Sequence, residues 1–413
     1  MGRASEPMTQ STQFSAAIAG GGIAGLSTAI ALMLGGWQVS VYERAPALGE
    51  VGAGLQLGPN GSALLDALGV LPLLEDQLFE PRAVELRLGR SGRRIMRMDL
   101  SDAQSRWGGR YVLSHRADLI AALQARAEAL QPGFLHTGAQ ASGYGPGRLF
   151  LHGGGEVKAD LVIGADGLHS CLRRQMHGPQ APRFTGNVAW RGTVPLTLLQ
   201  QAGGPIPPEN VCAWTGPRKH AVTNRVRAGQ VVNFVGIVEQ DSWQDEGWSL
   251  PGTTAEALAD FGDWNPVLTA VIEAAPSLFR WALFDRAPLA SWSDGATVLL
   301  GDAAHPMLPS MAQGAVQAIE DAVELAACLA PVSGAGDIPL ALRRFSDHRG
   351  PRTARVQAQS AANLRLFHRE GLAQVASYGP IWLADKLAPW AIKRRNDWVY
   401  GHRAGQGRQR KGR

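Results

Sequence analysis

Cysteine and long apolar runs are both scarce in this chain. The three cysteines, at positions 171, 212 and 328, have neither the paired spacing of a disulfide framework nor that of a zinc site, and the ten histidines show no metal-type spacing. We therefore predict no metal site and a reducing, cytoplasmic setting. No stretch reaches the ~18 uninterrupted apolar residues of a membrane span. Residues 1–13 lack the apolar core of a signal peptide, so we expect a disordered tail there and no membrane contact.

Net positive charge is absent outside one end of the chain, although the whole chain carries a net charge of +5. Residues 393–413 hold eight basic residues and one acidic residue, which leaves the first 392 residues with a net charge of −2. The high isoelectric point therefore results from the C-terminal end and not from a surplus of basic residues in the rest of the chain. We interpret this end as a solvated tail that includes residues 401–413, and we predict no nucleic-acid partner.

Glycine is abundant, with 50 residues, and its first cluster follows a short apolar run. Residues 16–34 predict a buried parallel strand, a glycine turn and a helix. In the turn, Gly20, Gly22 and Gly25 keep the G-x-G-x-x-G spacing. The first glycine permits a tight turn, the second lets a pyrophosphate approach the backbone, and the third lets the helix pack closely on the strand. The helix N-terminus then directs unpaired N–H groups at the phosphates.

The second strand of this unit is predicted over residues 37–42, and Glu43 follows it, 21 residues after Gly22. An acid at this place accepts hydrogen bonds from the hydroxyl groups of a ribose. The stretch therefore predicts a dinucleotide site. The alternative is a glycine-rich turn that binds nothing.

Two later strands are predicted to end near an acid. Residues 160–167 hold a buried strand that leads to Asp166, and residues 296–300 lead to Asp302. Ligands of doubly wound sheets bind at the carboxyl ends of the parallel strands, so both carboxylates are candidates for cofactor contacts. Each has a plainer alternative, as a strand-end turn or a helix cap. The amides that begin the long helix predicted after Ser310 would stabilise negative charge on a bound cofactor.

These stretches together resemble the class A FAD-dependent aromatic hydroxylases, in the salicylate hydroxylase-like branch. The resemblance runs from about residue 14 to residue 402, and the cofactor motifs keep the order and rough spacing of that family. The matching segments are residues 20–25 with Glu43 and Arg44, residues 164–170 with Arg173, residues 301–306, and residues 190–195 with residues 397–401.

The fold that the resemblance implies is α/β. It consists of a Rossmann-like FAD-binding domain of the glutathione reductase type, an inserted antiparallel β-sheet domain for the substrate, and a C-terminal helical segment. Breaks in the helical segment are predicted at residues 350–351, at residues 379–380 and at Pro389, because proline interrupts helices. The predicted segments are 14–80, 106–182 and 291–335 for FAD, 81–105 and 183–290 for the substrate, and 336–400 for the helices.

Aromatic hydroxylation is the reaction that the resemblance implies. NAD(P)H reduces FAD, O2 adds to give a flavin hydroperoxide, and one oxygen atom passes to a phenolic, hydroxybenzoate- or hydroxynicotinate-like ring. The same motifs also occur in flavoprotein epoxidases and reductases that act on non-aromatic substrates. A non-catalytic dinucleotide-binding protein is a third interpretation. Many members of the family dimerise, so the resemblance is compatible with a homodimer.

The resemblance also implies which residues of each motif contact the cofactor. Arg116, at the start of a predicted helix, has an ordinary surface arginine as its alternative. The candidate cofactor-binding residues are Gly20, Gly22, Ala24, Gly25, Glu43, Arg44, Gln56, Arg116, Asp166, Asp302, Pro309, Gly314 and Ala315.

A base near the aromatic ring is expected, because a phenol becomes a stronger nucleophile once it has lost its proton. His220 is the catalytic candidate, since histidine titrates near neutrality and the strand that carries it belongs to the substrate domain. Period-2 alternation places His220, Val222 and Asn224 on one face of the strand and Arg225 on the other. The alternative is a histidine that is satisfied within the sheet.

The candidates for the substrate pocket are Gln56, Asn224 and Ser310. Some relatives carry histidine at the position of Gln56, but an amide is no base at neutral pH. The branch usually has Tyr-Pro where this chain has Asn224 and Arg225, and an aromatic residue where it has Ser310. Because these departures enlarge or polarise the pocket, we expect a substrate that is larger or more polar than salicylate.

Overall fold

The computed structural model describes residues 13–49, 54–243 and 250–406. Apart from residue 13, the predicted N-terminal tail lies outside these ranges, and so do residues 407–413 of the basic end. Over the described residues, no helix combines the length and the apolar character that crossing a membrane requires.

Two large sheets form the framework of the protein. The strands in the described ranges, in chain order, are β1 (Ser15–Ala19), β2 (Gln38–Glu43), β3 (Gly54–Leu57), β4 (Ala83–Leu88), β5 (Arg94–Asp99), β6 (Val112–His115), β7 (Leu135–Thr137), β8 (Ala141–Gly145), β9 (Arg148–Leu151), β10 (Glu156–Lys158), β11 (Leu161–Gly164), β12 (Arg183–Pro195), β13 (Val211–Gly216), β14 (Lys219–Val226), β15 (Val231–Glu239), β16 (Leu250–Gly252), β17 (Leu278–Asp285), β18 (Ser293–Asp294) and β19 (Thr297–Leu299).

The six-stranded sheet has the order β18-β19-β11-β1-β2-β7 and is parallel except for β18. The eight-stranded sheet has the order β16-β17-β12-β15-β14-β13-β4-β5. It is antiparallel except for the parallel pair β13–β4. The predicted α/β fold with an inserted, mainly antiparallel sheet is therefore confirmed. Each large sheet takes its strands only from the segments assigned to one domain, while the domain boundaries themselves stay predictions.

Helices flank the sheets and form the C-terminal region. The α-helices in the described ranges are α1 (Ile23–Leu34), α2 (Pro59–Ala67), α3 (Ala103–Trp107), α4 (Arg116–Leu130), α5 (Cys171–His177), α6 (Leu196–Gln201), α7 (Thr254–Phe261), α8 (Pro266–Glu273), α9 (Gly314–Leu329), α10 (Ile338–Phe367), α11 (Gly371–Leu387) and α12 (Pro389–Tyr400).

Two of the three breaks predicted in the C-terminal region are wrong. α10 continues through residues 350–351 and α11 through residues 379–380, and only Pro389 begins a new helix. A proline removes one helical hydrogen bond, but Arg349, just before the first pair, is buried against α9 and holds α10 by tertiary contacts. The chain breaks instead at residues 368–370.

The basic end of the chain is also more ordered than a solvated tail. Residues 393–400 belong to α12, which contacts β5. Lys393 Nζ lies 2.6 Å from Asp102 Oδ1, and Asp397 pairs with Arg106 at 2.9 Å. Both ion pairs hold α12 against α3, and the charge of Lys393 is therefore part of the folded structure.

The glycine turn between β1 and α1 has the predicted geometry. Gly20 has a φ of +105°, and a Cβ at this position would lie 2.3 Å from the carbonyl oxygen of Ala165. A Cβ at Gly25 would lie only 1.9 Å from the carbonyl oxygen of Gly20. The helix therefore packs on the turn at a distance that only glycine permits.

A buried cluster of charges joins α9 to α10. Arg349 lies between two adjacent acids of α9, with its Nε 2.7 Å from Asp321 Oδ1 and its Nη1 2.6 Å from Glu320 Oε2. Arg352 donates two more hydrogen bonds to Glu320. Burial alone would raise the pKa of Glu320, but the charges of Arg349 and Arg352 outweigh it and hold this pKa at about 2. The carboxylate therefore contributes stability above its unfolded pKa, and this stability is lost as the pH falls towards 2.

The same cluster fixes the segment that follows β19. Asp321 Oδ2 accepts a hydrogen bond from the backbone N–H of Gly301 at 2.9 Å and lies 2.6 Å from His305 Nε2. Glu320 Oε1 accepts a hydrogen bond from the Asn60 amide at 2.8 Å. The two acids thus hold the turn after β19 and the start of α2 against α9.

Arg349→Met should destabilise the protein severely. Loss of the guanidinium leaves Glu320 and Asp321 buried without their shared partner, which lowers the free energy of unfolding by about 3–5 kcal/mol. Arg343→Met, at an exposed position of the same helix, is the control and should change it by about 0.5 kcal/mol or less. Urea unfolding compares the two variants. Equal free energies of unfolding in the two variants would contradict this role of the buried cluster.

Candidate active site

One large cavity, of about 1430 Å³, lies between the carboxyl ends of the six-stranded sheet and a face of the eight-stranded sheet, beside α10, α11 and α12. Gly25 alone among the predicted site residues does not line it, because it packs against Gly20. The predicted residues that line the cavity are Gly20, Gly22, Ala24, Glu43, Arg44, Gln56, Arg116, Asp166, His220, Asn224, Asp302, Pro309, Ser310, Gly314 and Ala315.

The glycine turn forms one end of the cavity. Gly22 borders the space, and nothing lies within 4 Å of the position that a Cβ on this residue would take. α1 begins at the next residue, Ile23, and has no side-chain cap. Its first N–H groups therefore remain available to an anion. An open glycine beside an uncapped helix N-terminus fits the pyrophosphate of a dinucleotide such as FAD.

Glu43 stands at the end of β2, next to this turn. Its Oε2 accepts a hydrogen bond from the backbone N–H of Gly21 at 2.7 Å, and its Oε1 accepts one from the N–H of Ala45 at 2.9 Å. The two bonds hold the carboxylate in one orientation at the cavity wall. Each oxygen keeps a second lone pair, which fits acceptance of hydrogen bonds from ribose hydroxyls.

The two carboxylate oxygens of Asp166 have different surroundings. Its Oδ2 caps α5, because it accepts hydrogen bonds from the N–H groups of Cys171 at 2.8 Å and Leu172 at 3.4 Å. Its Oδ1 is buried and has no hydrogen-bond partner among the described residues. One oxygen is thus structural, and the other is left for a group in the cavity. Arg173, from the same motif, donates hydrogen bonds to the carbonyl oxygens of Ala303 and Ala304 and so ties this motif to the turn after β19.

The N-terminus of α9 borders the cavity beside Asp302. Gly314 and Ala315 line the space, and Gln313, the residue before the helix, does not cap it. The side chain of Gln313 instead accepts a hydrogen bond from Asn60 at 3.0 Å. A carboxylate can accept a hydrogen bond from a ribityl hydroxyl, and a helix N-terminus stabilises negative charge on a reduced flavin ring. These features also fit FAD.

His220 lies on β14, at the other end of the cavity. It is 1% exposed, and Val222 and Asn224 line the cavity with it, as the predicted alternation requires. Asn224 is buried, and its Oδ1 has no hydrogen-bond partner in the described part of the chain. Arg225 faces the other way and donates hydrogen bonds to the carbonyl oxygens of Gly229 and Pro207.

A chain of hydrogen bonds leads away from His220. Its Nδ1 lies 2.7 Å from Nε2 of His368, and Nδ1 of His368 lies 2.9 Å from Oε1 of Glu239. Burial, and then the neighbouring His368, hold the pKa of His220 well below its usual value. Burial lowers the pKa of His368 as well, although Glu239 opposes this shift. No local pattern in the chain indicates these partners, because 148 positions separate the two histidines.

The other predicted pocket residues are partly engaged by the protein. Gln56, on β3, accepts a hydrogen bond from the Tyr111 hydroxyl at 2.8 Å. The hydroxyl of Ser310 donates to the carbonyl oxygen of Ser360 on α10. Ser310 therefore borders the cavity as a small group whose own donor is already used.

The wall of the cavity that includes Arg191 and Trp281 was not predicted from the sequence. Arg191 of β12 lies in one of the segments that match the family, but no role was predicted for it. Its guanidinium lies 4.2 Å from the centroid of the Trp281 ring, at the cavity wall. The apolar part of this wall consists of Val84, Leu86, Met96, Met98, Ile381 and Ala384.

Three side chains of metal-ligand type meet outside the cavity. Ligand atoms of Glu324, Cys328 and His348 lie within 4.8 Å of one another. They come from α9 and α10, so no local spacing in the sequence could reveal them. In the structure, His348 Nδ1 and Glu324 Oε1 already form a contact of 2.7 Å.

The chain is similar in sequence to proteins of known activity. A family model described as an FAD-binding domain matches residues 13–360. A 3-amino-4-hydroxybenzoate 2-monooxygenase of Streptomyces platensis is 37% identical over 94% of this chain and 96% of its own length. A 6-hydroxynicotinate 3-monooxygenase of Bordetella bronchiseptica is 36% identical over 86% of this chain and 92% of its own length.

A solved structure of salicylate hydroxylase in a substrate complex has the same fold. It is 26% identical, with a TM-score of 0.78, and the match covers 95% of this chain and 97% of that chain. The named relatives are aromatic monooxygenases, which favours this activity over an epoxidase, a reductase or a non-catalytic binding protein. The chain therefore belongs to the FAD-binding family of class A flavin monooxygenases and is a FAD-dependent enzyme that uses NAD(P)H and O2 to hydroxylate an aromatic ring.

Proposed function

We propose that the substrate is a hydroxylated aromatic or pyridine carboxylic acid, bound with its ring hydroxyl beside His220. The observation that carries this proposal is the cavity itself, which joins the dinucleotide end to the buried face of β14. The two relatives are named for a hydroxybenzoate and a hydroxynicotinate, and both compounds belong to this class. Bound FAD supplies the transfer of electrons from NAD(P)H and the activation of O2.

The residues at the dinucleotide end bind and orient the cofactor in this proposal. Gly22 and the first amides of α1 receive the pyrophosphate, and Glu43 receives the ribose hydroxyls. Asp302 accepts a hydrogen bond from the ribityl chain, and the amides of Gly314 and Ala315 stabilise negative charge on the flavin. Three observations support these roles. Gly22 borders open space, the N-termini of α1 and α9 have no side-chain cap, and two backbone hydrogen bonds hold the carboxylate of Glu43.

At the other end of the cavity, His220 accepts the proton of the ring hydroxyl, and Asn224 offers its unpaired amide oxygen to a polar substituent. The apolar wall formed by β4, β5 and α11 extends the cavity beyond these two residues. This extension supports a substrate larger than salicylate. Arg191, with its guanidinium against Trp281, is a candidate partner for the carboxylate.

Dimerisation stays a prediction. Several of the most exposed apolar side chains in the described ranges lie on α11 and α12, namely Leu372, Val375, Leu387 and Trp390. We propose this surface as the place that a second copy would cover.

Glu43→Gln should weaken FAD binding roughly 10- to 100-fold, the effect of losing charge-assisted hydrogen bonds. Each carboxylate oxygen accepts a hydrogen bond from a backbone N–H group. An NH2 group in place of either oxygen would therefore face another donor, and that hydrogen bond would be lost. Equilibrium titration of the apoprotein with FAD measures the affinity. Glu156→Gln, at an exposed position of β10, is the control, and equal affinities in the two variants would refute the role of Glu43.

His220→Gln should slow product formation by roughly 10²–10⁴-fold, the usual contribution of a general base, and leave FAD affinity unchanged. In the wild type, the lowered pKa of His220 keeps the imidazole neutral at and above pH 6.5. The rate limit due to this group should therefore appear only below that pH. Single-turnover product formation against pH measures both effects, with His348→Gln, outside the cavity, as the control. A full rate in His220→Gln would contradict the role of His220 as the base.

Purified holoenzyme should oxidise NADH or NADPH faster in the presence of a hydroxylated benzoate or nicotinate. A panel of these acids and of larger phenols, with product masses, tests the substrate class. Gain of one oxygen atom is expected, with loss of CO2 if the hydroxylation is decarboxylative. If salicylate gave full coupling of NADH oxidation to hydroxylation, the expectation of a larger or more polar substrate would fail.

A further inference from the structure

We infer that His368 and Glu239 are positioning residues that set the tautomer of His220 and carry the proton it accepts to the protein surface. This inference rests on the proposed function, in which His220 takes the proton of the ring hydroxyl. It assigns a role to two residues that belong to none of the family-like motifs.

The three side chains form a continuous path from the cavity to the solvent. His220 borders the cavity at 1% exposure, the side chain of His368 is 2% exposed, and that of Glu239 is 35% exposed. The path crosses three elements, because His220 lies on β14, His368 follows the end of α10, and Glu239 ends β15. The two contacts, of 2.7 Å and 2.9 Å, both have hydrogen-bond length.

The carboxylate fixes the tautomers of both rings. An ionised carboxylate can only accept, so Nδ1 of His368 must carry a hydrogen for Glu239. Nε2 of neutral His368 is then an acceptor, and Nδ1 of His220 must donate to it. This leaves a lone pair on Nε2 of His220, the ring nitrogen that remains for a group in the cavity. The chain therefore presents His220 as a base and not as a donor.

The proton transfer needs no reagent other than water. The O–H bond of the phenol breaks, and its proton binds Nε2 of His220 while the electron pair stays on the phenolate oxygen. The Nδ1 proton of His220 passes to Nε2 of His368, and the Nδ1 proton of His368 passes to Oε1 of Glu239. The protonated carboxyl group then releases its proton to water. The same path runs in reverse when the product is reprotonated.

Three further charged residues, Arg218, Asp241 and Arg369, lie beside the path. Arg218 lies 3.1 Å from Oε2 of Glu239, and its backbone N–H binds the carbonyl oxygen of His368. Asp241 pairs with the far side of Arg218 at 3.6 Å and is 99% exposed. Arg369 follows His368 in the chain, and its side chain contacts the hydroxyl of Ser377. Arg218 thus stabilises the carboxylate that sets the tautomers.

The first test is the ionisation rate of a bound phenol. Holoenzyme saturated with 3-amino-4-hydroxybenzoate is mixed with buffer of higher pH, and the near-ultraviolet absorbance of the phenolate is followed by stopped flow. Glu239→Gln, which keeps a hydrogen-bond acceptor but cannot hold the proton, should slow ionisation by about tenfold or more. His368→Gln should do the same. The affinity for the compound should change by less than about twofold in either variant.

Asp241→Asn is the matched control, because it removes an acid beside Arg218 that is not on the path. It should ionise the bound phenol at the wild-type rate. Wild-type rates in both Glu239→Gln and His368→Gln would overturn the inference, even if His220→Gln had lost activity. This outcome would leave the proposed function intact and limit the two residues to packing.

The second test needs no aromatic ligand and therefore separates the inference from the proposed function. Nitrogen-15 NMR of histidine-labelled holoenzyme should show His220 as the Nδ1–H tautomer. Glu239→Leu, which removes the acceptor, should change the tautomer populations of both His368 and His220. A wild-type His220 in the Nε2–H form, or a change confined to His368, would overturn the inference. If no aromatic acid binds, the proposed function fails and this measurement still decides the tautomer coupling.

Discussion

The buried pairing of Arg349 with Glu320 and Asp321 is the contact on which the arrangement of the cavity depends. Buried charges are tolerated only when each is paired and hydrogen-bonded, so the cluster admits few alternative arrangements. Asp321, one of the two acids that bind Arg349, also accepts a hydrogen bond from the N–H of Gly301 and contacts the ring of His305. The position of the turn with Asp302, and of the nearby N-terminus of α9, therefore follows from this one cluster.

α10 links this cluster to the substrate end of the cavity. Arg349 lies in its middle and His368 directly follows its last residue, about 28 Å further on at 1.5 Å per residue. An unbroken helix through residues 350–351 therefore fixes the distance between the turn that borders the flavin end and the partner of His220. A flexible joint at this proline would loosen both ends relative to each other. The buried ion pairs beside it explain why the proline is tolerated.

The sequence predicts the parts of the site that are local in the chain. The spacing of Gly20, Gly22 and Gly25, and the acid at Glu43, need only one βαβ unit to be recognised. Alternation along β14 was enough to place His220 and Asn224 on the cavity face. These predictions succeed because strand period and turn geometry depend on neighbouring residues.

Contacts between distant segments could not be predicted in this way. His368 meets His220 across 148 positions, and nothing near either residue indicates the partner. The proline of α10 gave a wrong break, because local propensity was overridden by the tertiary contacts of Arg349. α11, which packs on β5, also continues through its proline. The apolar wall from β4, β5 and α11 likewise exists only once the two sheets and the C-terminal helices are assembled.

A crystal structure of the holoenzyme with a bound hydroxybenzoate tests the central claim most directly, namely that one cavity places an aromatic ring between FAD and His220. We expect the flavin against the N-terminus of α9 and the ring hydroxyl within about 3.2 Å of Nε2 of His220. A ring bound with its hydroxyl away from β14, or FAD that does not reach the glycine turn and Glu43, would contradict the account.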